Sequence, residues 1–591
     1  MTEKKNAQTT ELLKKFWPSL RPYRKLMVLA AALGLISGSA AVFMTWQIGA
    51  AIDRLIGPGQ VDFTGLATLL AQFVALILLT VTSQLLIQRL GNTLAYESTR
   101  DLRNQAFSHL NRLPLAYYDQ HSHGDILSRF TNDMDNIAIA LAAVFSQVFS
   151  GFATILVALI VMLTLSPVLT VVVLLATPVI FFVSYEVAKH SQQDFSAQQQ
   201  ITGALSGFVN EMVTNQKIVK TFRRESTNQE HFEAVNEELY HKGQKAQFSS
   251  SLTNPVSRFV DHLAYVAVGF VGAILVLSGS SLVTVGMIAS FTLYASQFTK
   301  PFIELSGITT QIQTALAGLK RSFELLEQKE ETPDASDAQI LGDQKAVTGA
   351  LAFENVSFSY TKDTPLIQDF TFACAPGETV AIVGQTGAGK STLVNLLMGF
   401  YPLDSGRITL DGKDMRQFTK KSWRQHFGMV LQEPWLFDDT LRANLSYGRP
   451  TAQDDEIYAA LKETYMYEYV ARLPEKLDTL VGAQGLKLSE GQKQLLTITR
   501  TMIARPAMLI LDEATSSVDT LTEQKIQAAF LAMMQGRTSF VIAHRLATIQ
   551  KADHILVMEK GAIVEQGRHE ELLAKNGAYA RLYQAQFSGN Q

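Results

Sequence analysis

Along the first half of the chain, charge-free apolar runs alternate with polar, charge-bearing stretches. Leu26–Ile52 holds no charged residue, and neither does Phe63–Gln88. At 1.5 Å per residue each is long enough to cross a hydrocarbon layer roughly 30 Å thick. Asp53–Gly59 between them reads as a turn. Asn136–Tyr185 is uncharged throughout and too long for one crossing, and Ser166-Pro167 near its middle predicts two helices joined tightly. Leu263–Thr299 is uncharged as well, with a break at Ser278-Gly279-Ser280-Ser281. The pattern predicts six membrane helices, at about 26–52, 63–89, 137–165, 167–188, 259–279 and 282–304. The connections 91–135 and 189–255 carry no run able to span. Apolar residues still recur at helical spacing over Ala95–Arg112 and Gln198–Phe222, so the helices continue past the membrane. Leu113–Asp119 and Asn215–Arg224 interrupt them. Each is either a short cross-helix or a solvated turn, and periodicity leaves both open.

Beyond residue 350 the period changes. The β-branched run Thr379–Val383 and the apolar runs Met508–Leu511 and Phe540–Ile542 read as buried strands among helical segments. The chain therefore divides into a helical membrane domain (1–327), a charged, Pro- and Gly-containing linker (328–349) and an α/β domain (350–591).

Composition agrees with this division. Hydrophobic residues make up 47% of the 591, and the charges thin out in the first half. A net charge of −3 gives no sign of a nucleic-acid partner, and the single cysteine, Cys374, excludes an intramolecular disulfide framework. Met1–Pro22 is polar and lysine-bearing without a small-residue cleavage site, which reads as a retained segment. Lys14, Lys15, Arg21, Arg24 and Lys25 precede the first helix. Both long connections are rich in Lys and Arg, whereas the short loops near Gly57, Ser166 and Gly279 hold only Arg54. The positive-inside bias puts the N-terminus, both long connections and the α/β domain in the cytoplasm.

Candidate chemistry centres on Gly384-Gln385-Thr386-Gly387-Ala388-Gly389-Lys390-Ser391, a G-x-x-x-x-G-K-S loop followed by Thr392 and a helical segment. Glycines let backbone N–H groups converge on phosphate oxygens, the helix N-terminus adds partial positive charge, and Lys390 adds a full one. The Ser391 hydroxyl can ligate Mg²⁺. Met508–Glu513 is a strand ending in two carboxylates, suited to holding the metal (Asp512) and polarising an attacking water (Glu513). Phe540–His544 ends in an imidazole that can reach a γ-phosphate, although a strand-end histidine alone is more often structural. Gln432 follows the apolar Met429-Val430-Leu431, and its amide can reach metal or water. Tyr360 is either a base-stacking ring or core. Leu488-Ser489-Glu490-Gly491-Gln492 opens another helix and makes a second anion site, which one chain has no use for unless a second chain binds its nucleotide there.

Taken together, the phosphate loop, Gln432, the Ser489–Gln492 signature, Asp512-Glu513, Ser516-Ser517-Val518-Asp519 and His544, in that order, resemble an ABC transporter of the exporter type over nearly the whole chain. The resemblance implies a six-helix membrane domain fused to an α/β P-loop NTPase domain with a helical subdomain. It also implies ATP and Mg²⁺ as ligands and two chains that sandwich two ATP molecules. Ser489, Glu490, Gly491, Gln492 and Asp519 would then face the partner's nucleotide, Gly482–Gly485 the membrane domain, and the interruptions near Leu115 and Val219 would be coupling helices. Two positions depart from the family pattern. Glu490 stands where the signature usually has Gly, and Ala483 where the preceding loop commonly has Glu. A carboxylate near a γ-phosphate costs on the order of a few kcal/mol, so this signature reads as impaired while Lys390, Asp512, Glu513 and His544 are intact. That combination suggests one half of an asymmetric heterodimer that exports lipophilic drugs or lipids across the cytoplasmic membrane. A homodimer, an importer on the same frame and an ATP-gated channel are the alternatives. Trp46, Gln47, Gln72, Gln84, Gln147 and Gln297 lie at membrane depth, where each can line a cavity or bond a neighbouring helix.

Overall fold

The computed structural model describes residues 2–55, 62–278, 284–342, 347–361, 364–385, 387–482, 485–512, 518–543 and 546–587. They form two compact units, Met1–Arg112 with His121–Gln328, and Leu113–Gln120 with Lys329–Gln591.

In the first unit α1 (Thr2–Leu20) leads through a 3₁₀ turn into α2 (Arg24–Asp53). Next come α3 (Phe63–Leu110), then α4 (Leu115–Gln120), which belongs to the second unit, and α5 (His123–Ser128). The remaining helices are α6 (Met134–Leu165), α7 (Pro167–Thr214), α8 (Gln216–Thr221), α9 (Glu225–Leu277), α10 (Val285–Gly307) and α11 (Thr309–Leu326). The 48 residues of α3 rise about 70 Å, far beyond a bilayer core. Among the described residues, Thr9–Asp53, Phe63–Leu110 and His123–Leu165 are long and apolar enough to cross a membrane, and shorter apolar stretches occupy Pro167–Val179 and His262–Leu277. Ser166 and Pro167 do divide α6 from α7. The Ser166 hydroxyl accepts from the Leu169 N–H, and proline takes the first helical position, where no N–H is needed. The turns expected at Gly57 and Gly279–Ser281 lie outside the described residues.

Small residues let the membrane helices close. A Cβ on Gly34 would lie 2.6 Å from the Phe149 carbonyl oxygen, and one on Gly49 2.0 Å from Ser290 Oγ. At the end of α2, Asp53 accepts from the Gly286 N–H (2.8 Å) and the Thr284 hydroxyl (2.8 Å), so a carboxylate caps the start of α10. Val42, Met162, Val268, Phe291 and Tyr294 are the centre of this core. Beside α11, Arg321 Nε donates to Asp133 (2.7 Å), which ends a π-turn at Arg129–Asp133.

The second unit begins with the segment expected to be a linker, which lies along the domain. Arg424 holds Glu331, and Gln339 bridges to Phe418. β1 (Leu351–Phe358), β2 (Ile367–Cys374), β4 (Ser405–Leu410) and β5 (Lys413–Asp414) form an antiparallel sheet in the order β2-β1-β4-β5. β3 (Thr379–Gly384) instead enters a six-stranded sheet and is followed by α12 (Lys390–Leu397). That sheet is completed by β6 (Phe427–Val430), β9 (Met508–Asp512), β10 (Thr538–Ile542), β11 (His554–Glu559) and β12 (Ala562–Gly567). Its order is β12-β11-β3-β10-β9-β6, parallel except for β12. A small ladder pairs β7 (Asp439–Thr440) with β8 (Leu480–Val481). Between β5 and β10 lie α13 (Lys420–Gln425), α14 (Leu441–Leu445), α15 (Asp454–Glu463), α16 (Tyr467–Ala471), α17 (Glu490–Ala504) and α18 (Thr520–Met534). Of these, α14 to α17 supply the helical subdomain. Strands buried on both faces read as continuous apolar runs, which is why β3, β9 and β10 were visible in the sequence.

Candidate nucleotide site

All four central parallel strands end at one edge. Ile542 of β10 pairs with Ile382 of β3 on one side and Asp512 of β9 on the other. Open parallel sheets bind ligands along this carboxyl edge. Gly384 ends β3 with its Cα so close to β11 that a Cβ would sit 2.3 Å from the Met558 carbonyl oxygen. Gly387 (φ +84°) and Gly389 (φ +95°) take the left-handed backbone that glycine alone adopts without strain. At Gly387 a Cβ would meet nothing within 4 Å, so the loop faces open space there. Gly389 caps α12 without a side-chain bond, leaving the first N–H groups of the helix to an outside acceptor.

Lys390 is buried, and its Nζ donates to the carbonyls of Gly384 (2.8 Å) and Gln385 (3.1 Å). Burial holds its pKa below the ordinary lysine value, while the charge of Asp512 acts in the opposite direction. An ammonium folded onto its own loop is available to a better acceptor, and a polyphosphate is one. Ser391 is exposed at the start of α12, Thr392 is buried behind it, and Gln432 is exposed two residues beyond β6. Ser391, Gln432 and Asp512 offer the hard oxygen donors that Mg²⁺ takes together with phosphate oxygens. The residues present therefore fit a Mg²⁺-nucleotide. Thr386, Glu513, Ser516, Ser517 and His544 lie outside the described residues, as does Ala483.

Tyr360 is neither free ring nor core. It is half-exposed, its hydroxyl donates to Thr392 Oγ1 (3.2 Å), and its ring stands edge-on to Tyr401 (5.0 Å, 88°). Tyr401 in turn donates to the carboxylate of Asp119 on α4. Sequence reasoning missed Tyr401 and Asp119. The signal was weak, an aromatic in an apolar run after α12 and an acid in a suspected turn. Leu115 and Ala116 pack against the same apolar cluster as Phe358 and Tyr401, so α4 is a short helix and not a solvated turn. α8 is likewise helical, with Val219 buried.

The signature stands at the start of α17. Ser489 and Gln492 form a capping box, with Ser489 Oγ accepting from the Gln492 N–H (3.3 Å) and Gln492 Oε1 from the Ser489 N–H (2.9 Å). Gly491 is buried, and a Cβ there would sit 2.5 Å from Thr522 Cγ2. Glu490 is exposed, and its carboxylate accepts from Lys493 Nζ at 2.8 Å. Asp519 caps α18 through the Thr522 N–H (3.0 Å), a bond that holds its carboxyl below the usual range.

Residues 27–302 match the family model "ABC transporter transmembrane region", and residues 367–516 match "ABC transporter". The chain is 41% identical over 529 residues to the fatty acid ABC transporter ATP-binding/permease protein of Mycobacterium tuberculosis, covering 89% of this chain and 83% of that protein. It is 33% identical to the ATP-dependent lipid A-core flippase of Pasteurella multocida, covering 98% and 99%. Among solved structures, a bacterial Atm1-family ABC exporter with ATP bound superposes with a TM-score of 0.76 at 28% identity, covering 96% and 98%. With a phosphate loop on β3, a helical membrane unit ahead of it and relatives of this kind over nearly its whole length, the chain belongs to the ABC transporters, as a multi-pass exporter polypeptide of the cytoplasmic membrane that couples ATP hydrolysis in its cytoplasmic domain to transport.

Proposed function

We propose that the chain is one half of an asymmetric heterodimer exporting lipophilic or lipid cargo, and that its own phosphate loop serves the hydrolysing site. The observation that carries this reading is the exposed Glu490 at the start of α17, set against Lys390 and Asp512 in place on the sheet edge. A carboxylate facing a partner's nucleotide weakens the site that this signature completes, whereas Gly384–Thr392 itself holds no acidic residue. The fatty acid and lipid A relatives support an amphipathic cargo.

In the hydrolysing site, the N–H groups from Gly387 to Ser391 hold the β-phosphate and Lys390 the γ-phosphate. Mg²⁺ would be held by Ser391, Gln432 and Asp512 and would supply charge that neutralises the phosphates. Tyr360 faces the base, and Glu513 positions the attacking water. His544 steadies the terminal oxygens from the end of its strand. Ser489, Gly491 and Gln492 close on the partner's nucleotide, and closure draws on α4 and α8 to turn the cavity outward.

The Glu490–Lys493 pair favours a second reading. The neighbouring ammonium offsets the carboxylate, so a homodimer carrying two such signatures is also chemically workable. Native mass spectrometry of the complex drawn from its own membrane through a tag on this chain separates the two. A second, different chain of similar mass, with a consensus signature and a weakened catalytic carboxylate, is expected. Two copies of this chain alone would overturn the asymmetric reading.

A further inference from the structure

Where α1 meets α2 the chain bends through Pro18–Lys25, just ahead of the uncharged run that opens at Leu26. Two bonds fix the bend. Tyr23 donates to Asp101 of α3 at 2.7 Å, and Lys15 donates to Glu327, just past α11, at 2.6 Å. The second bond also sets its depth, because α11 leads into the cytoplasmic domain. Pro18 and Pro22 stiffen the backbone between these anchors. Pro18, Arg21, Pro22, Arg24 and Lys25 line an open crevice of about 420 Å³. Arg21, Arg24 and Lys25 are exposed, and among the described residues none of them pairs with a carboxylate. The acids nearby are taken. Glu11 and Glu327 hold Lys15, and Asp101 holds Arg100 as well as Tyr23. Glu97 of α3 sets one negative charge near Tyr23, which leaves the cations in excess. No side chain caps the start of α2, so the positive end of its dipole adds to the same potential. One turn further into α2 the surface turns apolar. Val28, Leu29, Leu35 and Ile36 are exposed at a spacing of seven, which makes one stripe. Trp17, also exposed, stands one turn ahead of Arg21, as aromatic rings do at the level of lipid headgroups.

We propose that this crevice binds the headgroup of an anionic phospholipid from the cytoplasmic leaflet, with the acyl chains along Val28, Leu29, Leu35 and Ile36. Charge complementarity selects the occupant. A phosphodiester matches the fork of a guanidinium, and a headgroup of net negative charge answers the unpaired cations. A zwitterionic headgroup brings its own cation into a crevice that is already positive. A soluble anion meets the cations but leaves the apolar stripe unused. Each cation close to an anionic leaflet favours binding by about fivefold. The three residues belong neither to the helix core nor to the nucleotide site, so the lipid is a resident partner that holds the bend at headgroup depth.

The test uses the intact complex in phosphatidylcholine nanodiscs that carry a trace of photoreactive lipid, with a diazirine in the acyl chain. Phosphatidylglycerol and phosphatidylcholine versions are compared. Crosslinks are mapped by peptide, and labelling of 26–36 is divided by labelling of 168–175, an exposed apolar stretch of α7 in the same molecule. Because the readout is a ratio within one chain, a general loss of folded protein does not imitate the effect. The ratio is expected to be at least about fivefold higher for phosphatidylglycerol. Arg21→Gln, Arg24→Gln and Lys25→Gln made together should bring it down to the phosphatidylcholine value. Arg21→Lys with Arg24→Lys keeps the charge and should keep at least half of the enrichment. Should the triple variant fail to assemble, Arg24→Gln alone is read in the same way. Equal ratios for the two lipids, or a ratio unmoved by the glutamine substitutions, would overturn the proposal. Loss of the enrichment on adding millimolar glycerol phosphate would overturn it too, since the occupant would then be a free anion.

Discussion

Replacing Tyr401 by Phe isolates one hydroxyl. The ring would keep its edge-on contacts with Tyr360 (5.0 Å) and Phe358 (5.7 Å), so packing in the second unit is preserved. Only the O–H bond to Asp119 on α4 is lost. A hydrogen bond to a charged group contributes about 1.5–3 kcal/mol, and the exposure of Asp119 puts this one near the lower bound. A loss of about 1.4 kcal/mol shifts the docking equilibrium of α4 tenfold. Burial, and then the bond to Asp119, hold the Tyr401 phenol well above its ordinary pKa, so it remains a donor throughout the physiological range. The α4 helix is tied by the chain to α3 and α5, and looser docking should waste nucleotide closure. Cargo moved per ATP in proteoliposomes should therefore fall several-fold, with hydrolysis changed by less than about twofold. Asp119→Ala should do the same, and the double variant should be no worse than either single one. The interaction energy from that cycle is expected near 1 kcal/mol. Additive effects, with an interaction under about 0.3 kcal/mol, would refute a direct Tyr401–Asp119 link.

Three further outcomes are expected. Gly491→Ala puts a Cβ 2.5 Å from Thr522 Cγ2 and 3.0 Å from Val518 Cγ1, which should push α17 off α18 at a cost of about 1–3 kcal/mol and lower the Tm in a thermal-shift measurement. Lys493→Gln removes the counter-charge of Glu490 and should lower ATPase activity of the assembled transporter several-fold, with Glu490→Gln in the same chain restoring it; no rescue would mean that charge at the signature is immaterial. Burial pushes the Cys374 thiol up to about 11, so maleimide at neutral pH should label the native protein on the order of 100-fold more slowly than the urea-unfolded chain.

What could be read ahead of the structure was whatever depends on a few consecutive residues. The Ser166-Pro167 division, the β3–loop–α12 unit and the carboxylate at the end of β9 are each local patterns with one physical explanation. The Glu490–Lys493 pair is local as well, since the two stand at the (i, i+3) spacing of a helical ion pair. The Tyr401–Asp119 bond joins residues 282 positions apart, and no periodicity reports such a pairing. The segment read as a linker shows the same limit. Its charge is a docking feature, because Glu331 meets Arg424 across 93 residues, and composition cannot separate a solvated charge from a paired one.

The membrane glutamines sharpen that point. Gln47, Gln72, Gln147 and Gln297 are one residue type at similar depth, and sequence gives all of them the same two readings. The structure divides them by the partners their amides find. Gln72 Oε1 receives a donor across the α2–α3 contact, so that pair bonds the helices. Gln47 Oε1, Gln147 Oε1 and Gln297 Oε1 receive none, the first in the very pair that bonds the helices and the other two beside a cavity. Gln297 bonds α2 all the same, through Nε2 to Thr45 Oγ1 and the Ala41 carbonyl, so an interhelical bond and an unmet oxygen occur in one side chain, and only the position of both partners separates the two readings.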